Sequence, residues 1–223
     1  MRSVPESPYG RRLSGGKRIH NNRQSSRIIL RHTKEGSMKI LLFTSALILP
    51  ALSMAEGINC NNLNEWSAPI EGMQVNQHHI FCGEPAKGNN AKGFHSMPQN
   101  QPPSDYISSQ KGDSPNASGI YTLKRIALSF NKNTHIKSFS SMFPDHCTQA
   151  QVNASIVYSQ QNASGNCANP GWAKCGPNAP DNDNGNKYCK GFPAKHFEIA
   201  TAVLPDDNSK INTGFPIYKA NKN

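Results

Sequence analysis

Of the eight histidines in this chain, two stand in settings that invite a chemical reading: His79 within His78-His79-Ile80-Phe81-Cys82-Gly83-Glu84, and His95 within Lys92-Gly93-Phe94-His95-Ser96. An imidazole titrates near neutral pH, so one copy can take a proton while another delivers one. Cleaving RNA through its own 2′-hydroxyl without a metal needs a base for the hydroxyl proton and an acid for the departing 5′-oxygen. It also needs a cation against charge growing on the phosphate, and two histidines and a lysine supply all three. Composition alone does not separate these two histidines from surface or core ones. The same stretch also carries ligand types for a metal (His78, His79, Cys82, Glu84, His95), but their spacing matches no zinc pattern, so no metal site is assigned. Near the C-terminus, Thr213 and Phe215 are two residues apart, which sends a hydroxyl and a ring from the same face of a strand.

The elements that would position these groups are mostly of period two. Tyr121 and Leu123, then Ile126, Leu128 and Phe130, alternate with polar residues and predict a strand with a slip at Lys124-Arg125. Phe197, Ile199, Thr201 and Val203 predict a second strand. Pro205-Asp206-Asp207-Asn208 reads as a turn, and Ile211, Thr213, Phe215 and Ile217 as the returning strand of a hairpin. These last four could equally be a face turned to the core. One helix is marked, by Thr148 with Gln151 three residues on as a capping box and by an apolar face of Ala150, Val152, Ala154, Ile156 and Val157. Residues 97–118 and 159–187 are rich in Pro, Ser, Asn, Gly and Gln and read as loops, the second, with Cys167 and Cys175 inside it and Cys189 just beyond, as a stapled surface insertion. The class is α+β, dominated by antiparallel strands.

The first 55 residues differ in kind from the rest. Met38-Lys39 followed by an apolar run from Ile40 to Leu52 and by Ser53-Met54-Ala55 has the form of a signal peptide cleaved after Ala55. That run is too short for a lasting membrane anchor. Residues 1–37, with nine basic and two acidic residues, read as an upstream extension, or else as a basic targeting arm. Without residues 1–55 the formal charge falls from +10 to +2, because ten of the 24 basic and two of the 14 acidic residues leave. The overall basic balance is therefore no argument for nucleic-acid binding. All six cysteines (Cys60, Cys82, Cys147, Cys167, Cys175, Cys189) follow the cleavage site, which points to an oxidising compartment, with 15 pairings open. The domain is then 56–223, secreted or periplasmic. Three Asn-Ala-Ser triplets (Asn116, Asn153, Asn162) would accept glycans in a eukaryotic host.

The segment His79-Ile80-Phe81-Cys82-Gly83-Glu84, followed by Gly93-Phe94-His95, resembles the paired-histidine signature of bacterial EndoU nucleases, H-I-[FL]-x-G-E then G-[FG]-H. Lys137-Ser138-Phe139-Ser140-Ser141-Met142-Phe143-Pro144 is similar to the family's lysine segment, and Asn212-Thr213-Gly214-Phe215-Pro216 to its C-terminal [ST]-x-[YF]-P strand. The four matches run in order from about Gln77 to Tyr218. The resemblance implies an EndoU-like fold, antiparallel sheets with few helices around a catalytic cleft, and an endoribonuclease that cuts at uridines to leave 2′,3′-cyclic phosphates. His79 corresponds to the family's first histidine, usually the general acid, and His95 to its second, usually the general base, labels that could be exchanged without changing the chemistry. Lys137 corresponds to its electrostatic partner, in preference to Lys124 and Lys132. Thr213 and Phe215 correspond to the residues at the uracil edge and beside the sugar and base, Phe standing where many relatives carry Tyr, and Ser141 joins the substrate-binding set. No cofactor is required, although some relatives are stimulated by Mn²⁺. The expected partner is RNA. A toxin role and an immunity protein follow by analogy with the family alone. The competing reading is a secreted, disulfide-stabilised binding module without activity. On the export reading the native protein begins at Glu56 and has no titratable thiol, which N-terminal sequencing and thiol titration after denaturation check.

Overall fold

A computed structural model describes residues 56–183 and 186–221. The expected upstream extension (1–37), the signal peptide (38–55) and its cleavage point fall outside the described residues.

Among the described residues ten strands and one α-helix follow in chain order. β1 is Gln74–Val75, β2 Glu84–Pro85, β3 Ala91–Lys92, β4 Tyr106–Lys111, β5 Tyr121–Phe130 and β6 Asn133–Met142. After these come α1, Gln149–Gln161, then β7 Gly165–Asn166, β8 Lys174–Pro177, β9 Glu198–Leu204 and β10 Asp207–Pro216. Five strands form one sheet in the order β1-β10-β9-β8-β7, three form a second in the order β4-β5-β6, and β2 pairs with β3. Every pairing is antiparallel except β1 with β10. The α+β class read from the sequence is the class observed.

The slip expected at Lys124-Arg125 is present. Both residues are exposed between buried Leu123 and Ile126, Arg125 has φ +47°, and the β4–β5 register shifts beside it. The hairpin of β9 and β10 also forms, with a tighter turn than expected, since Asp207 already pairs with Leu204 across Pro205-Asp206. The two long loops need correction. The first contains β4, whose mostly exposed polar side chains give no apolar alternation to read, and the second contains β7 and β8. All six cysteines are bridged, as Cys60–Cys82, Cys147–Cys189 and Cys167–Cys175.

Helix α1 starts at the expected box: Gln151 N–H donates to Thr148 Oγ1 (3.2 Å) and Thr148 N–H to Gln151 Oε1 (2.9 Å). Its burial departs from a simple apolar stripe, because Ala150 is exposed while Asn153, Ser155 and Ser159 are buried among the apolar residues. A helix enclosed on several sides must satisfy its polar groups internally. Asn153 Nδ2 donates to Gln77 Oε1 (3.0 Å), Ser155 Oγ accepts from Cys189 N–H (2.8 Å), and Ser159 Oγ donates to the Ile199 carbonyl (3.0 Å). This burial removes Asn153 from the glycan acceptors. Gln77 also accepts from Gln149 Nε2 (2.7 Å), so the helix grips the residue just ahead of the histidine pair.

The first core gathers Ile80, Phe81, Phe143, Ile156, Ile199 and Ile211 between α1 and the five-stranded sheet, and the second gathers Phe94, Ile126, Leu128 and Met142 under the three-stranded one. At Gly214 the five-stranded sheet lies so close to α1 that a Cβ would come within 2.8 Å of buried Ile156. Gly214→Ala is expected to lower stability by about 1–3 kcal/mol through overpacking. Trimming the neighbour in Gly214→Ala/Ile156→Val should recover part of the loss, read as a shift in urea midpoint at constant slope.

Candidate active site

His78–Cys82 forms one π-helical turn, closed by Gly83 N–H donating to the His78 carbonyl at 2.8 Å. Buried Asn76 caps it, its Oδ1 accepting from His79 N–H at 2.9 Å, three residues on, as a helix N-cap does. The Asn76 amide also donates to Glu84 Oε1 (3.1 Å) and to Asn212 Oδ1 on β10 (3.2 Å). One side chain thus ties the first histidine to the five-stranded sheet.

The second histidine arrives through a close backbone crossing. Gly93 has φ +73°, and a Cβ there would lie 2.2 Å from the His79 carbonyl oxygen. The chain beyond it is hydrogen-bonded to the π turn, Phe94 N–H to the His79 carbonyl (2.6 Å) and His95 N–H to the Ile80 carbonyl (2.7 Å). Phe94 is fully buried in the second core and stacks on Tyr106, which leaves His95 on the opposite side. The two imidazoles end with centroids 5.9 Å apart.

Both face a cleft of about 460 Å³ between the two sheets. The three-stranded side contributes Lys137, Phe139, Ser140 and Ser141 of β6. Lys137, Phe139 and Ser141 share one face by period two. The five-stranded side contributes Ala202 of β9 and Asn212, Thr213 and Phe215 of β10. A register shift between Ile211 and Thr213 changes the phase of β10, so that Ile211 is fully buried in the first core while Thr213 and Phe215 line the cleft. The sequence left open whether this strand faces core or cleft, and the bulge lets it do both in turn. All six site residues expected from the sequence therefore line one cavity. Lys124 and Lys132, the other lysines weighed, are exposed on β5 and in the β5–β6 turn and do not line it.

The two histidines have opposite partners at Nδ1. His95 Nδ1 lies 3.2 Å from the Ser141 carbonyl and 3.0 Å from Ser140 Oγ, whose own proton goes to the Phe94 carbonyl. A carbonyl only accepts, so Nδ1 carries the proton and Nε2 is left with its lone pair. Burial, then the charges of Lys137 and His79, hold His95 well below the ordinary histidine range, against the Ser141 hydrogen bond, so it is neutral at pH 7. His79 Nδ1 instead faces Glu84 Oε2 at 3.1 Å. Burial pushes the Glu84 carboxyl up, but the hydrogen bond and charge of His79, followed by those of Lys92 at 3.0 Å, outweigh it and hold it at about 2. Glu84 is therefore ionised, and its Oε2 accepts from His79 Nδ1–H. Lys137 donates from Nζ to the Gly93 carbonyl, and burial brings its ammonium down to about 7.

A model of the bacterial EndoU nuclease family matches residues 74–218. The chain belongs to that family. No curated protein and no solved structure matches it. The EndoU match spans every residue of the cleft. It also spans Asn76, Glu84, Lys92, Phe139, Trp172 and Asn212, which the sequence reading did not single out as site residues. Asn76 had one legible signal, its N-cap spacing to His79. Trp172 had none, because its ring reaches Phe215 (centroids 6.1 Å) only through the fold. Cys82 is bridged to Cys60 and so is withdrawn from the ligand types weighed for a metal.

Because the Glu84 carboxyl sits below its ordinary value of 4.5 in the fold, its contribution to stability is present above about pH 4.5 and is lost as pH falls toward 2. Glu84→Gln abolishes that part of the slope. The gap in urea midpoint between the parent protein and Glu84→Gln is expected to close steadily on acidification through this window.

Proposed function

We propose that this EndoU nuclease is an exported endoribonuclease that cuts RNA 3′ to uridine by transesterification. The observation that carries the reading is the contrast at the two Nδ1 atoms, a carbonyl at His95 and a carboxylate at His79, with both rings on one cleft. His95 Nε2 takes the proton of the 2′-hydroxyl, O2′ attacks phosphorus, and the bond from phosphorus to O5′ breaks. His79 Nε2–H delivers its proton to O5′, and the 5′ fragment ends in a 2′,3′-cyclic phosphate. The Lys137 ammonium faces the charge that grows on the phosphate oxygens. Acid, base and cation are all side chains, so the reaction requires no divalent ion, and Mn²⁺ acts at most as a stimulant.

Thr213 offers a hydroxyl to a pyrimidine edge, and Phe215, stacked on His95 at 5.1 Å, offers a ring to the base and sugar. The small Ala202 of β9, opposite Thr213, lines the cleft beside them. Ser141 lines the same cleft and joins the contacts to substrate. Three disulfides belong to an oxidising compartment. Among the described residues no helix is long and apolar enough to cross a membrane. We read the protein as secreted or periplasmic, with RNA met outside the producer as its target, in the manner of a toxin. An immunity protein is its expected partner if the enzyme can reach the producer's own RNA.

The test is cleavage of short RNAs by the oxidised domain. His79→Ala and His95→Ala are each expected to lose at least about 10²-fold in rate with the fold intact, and activity should largely survive EDTA. Full activity in both variants would sink the mechanism. Lys137 loses its charge as pH rises through about 7, so kcat/KM should fall on the alkaline side, and Lys137→Arg, charged throughout, should move that limb to higher pH. On four RNAs differing only in the base 5′ to the cut, uridine should be fastest. Thr213→Ala should narrow its lead over cytidine, and Phe215→Tyr should be near neutral. Equal rates on all four would refute uridine selection.

A further inference from the structure

Trp172 is the largest side chain left open at the cleft, 64 % exposed, and its position is built rather than incidental. It sits in the short loop closed by Cys167–Cys175. Inside that loop Cys167 N–H donates to the Ala173 carbonyl (2.8 Å) and Ala173 N–H to the Pro170 carbonyl (3.3 Å). Ala173 is fully buried with Cys167 and Ala200, and Cys175 and Phe215 pack against them, so the residue next to the indole is anchored in the sheet beneath. The indole itself is directed outward at the rim, tilted 55° to Phe215. Across the cleft Phe139 of β6, 49 % exposed, presents a second open ring.

An indole anchored at the rim of a cleft, beside one ring and opposite another, offers a face that a flat apolar group can cover. The cleft is already read as taking one nucleotide against Phe215, and the bases on either side of that nucleotide are flat partners within its reach. We infer that Trp172 is the stacking platform for a base flanking the cleaved uridine, held in place by the Cys167–Cys175 bridge. Single-stranded RNA longer than one nucleotide is then the substrate for which the site is shaped. This inference rests on the RNA-cleaving reading above. Stacking on an aromatic face tolerates every base, so the platform adds affinity for strand length and leaves base choice to the Thr213 subsite.

Two substrates separate the effects: a ribouridine 3′-(methyl phosphate), which has no flanking base, and a pentamer with one ribouridine among 2′-deoxynucleotides. In the parent protein the pentamer should have a KM lower by about tenfold, the scale of one base stacked on an aromatic ring. In Trp172→Ala that advantage should vanish with kcat on the pentamer retained, in Trp172→Phe most of it should return, and Cys167→Ser/Cys175→Ser should lose much of it. Trp66 is the other tryptophan. In a Trp66→Phe background, a fully 2′-deoxy pentamer, which cannot be cut, should therefore quench the fluorescence of Trp172 on binding. Cleavage with an unchanged pentamer advantage in Trp172→Ala, or binding without quenching, overturns the platform and leaves the nuclease reading standing. Quenching by the deoxy pentamer without cleavage of either ribouridine substrate supports the platform and overturns the nuclease reading instead.

Discussion

The geometry of the cleft depends on one contact between backbones, the passage of Gly93 against the carbonyl of His79. A side chain at residue 93 would occupy the space of that carbonyl, so the crossing exists only because the residue there has no Cβ and adopts φ +73°. From this point the three candidate groups diverge. The His79 carbonyl receives Phe94 N–H, the next residue is His95, and the Gly93 carbonyl takes the Lys137 ammonium. Both imidazoles and the cation are therefore referenced to a single peptide and not to separate loops.

Around that crossing, each neighbouring element contributes a restraint of a different kind. Helix α1 reaches the π turn through Gln77, the five-stranded sheet reaches it through Asn76 and Asn212, and the disulfide from Cys82 to Cys60 ties its last residue to the start of the domain. On the other side β6 and the residue that follows it hold His95 twice, through the Ser141 carbonyl at its ring and through Phe143 N–H at its own carbonyl. Catalytic geometry is sensitive to sub-ångström displacement, and a site hung on two sheets and a helix is far stiffer than one on a free loop.

What could be read from the sequence was what is encoded locally. The capping box at Thr148 and Gln151, the slip at Lys124-Arg125 and the β9–β10 hairpin each depend on a few adjacent residues, and each is present. β4 escaped because Tyr106–Lys111 forms an edge strand with little burial, so no alternation marks it. β7 and β8 are short pieces inside a cysteine-bearing segment whose composition speaks for a loop, and only pairing with β9 makes strands of them. The two histidine segments were legible as a family resemblance, whereas the Asn76 hub and the approach of Trp172 to Phe215 join residues far apart in the chain. The bulge near Asn212 is likewise set by the partner strand and not by any local signal.

The unequal partners at the two Nδ1 atoms bear on the direction of turnover. On the proposed chemistry, hydrolysing the cyclic phosphate would run the proton relay backwards, with His95 entering as the imidazolium and His79 as the free base. The first is the disfavoured form here, since burial and the Lys137 charge oppose a proton on His95, while the Glu84 carboxylate keeps His79 Nδ1 in the donor role. On that chemistry His95 must shed its proton to solvent after each cut before it can act as base again, and its buried, cation-flanked ring favours that loss. On the proposed chemistry a pair so biased turns over by transesterification, and the fragments leave with their five-membered rings closed.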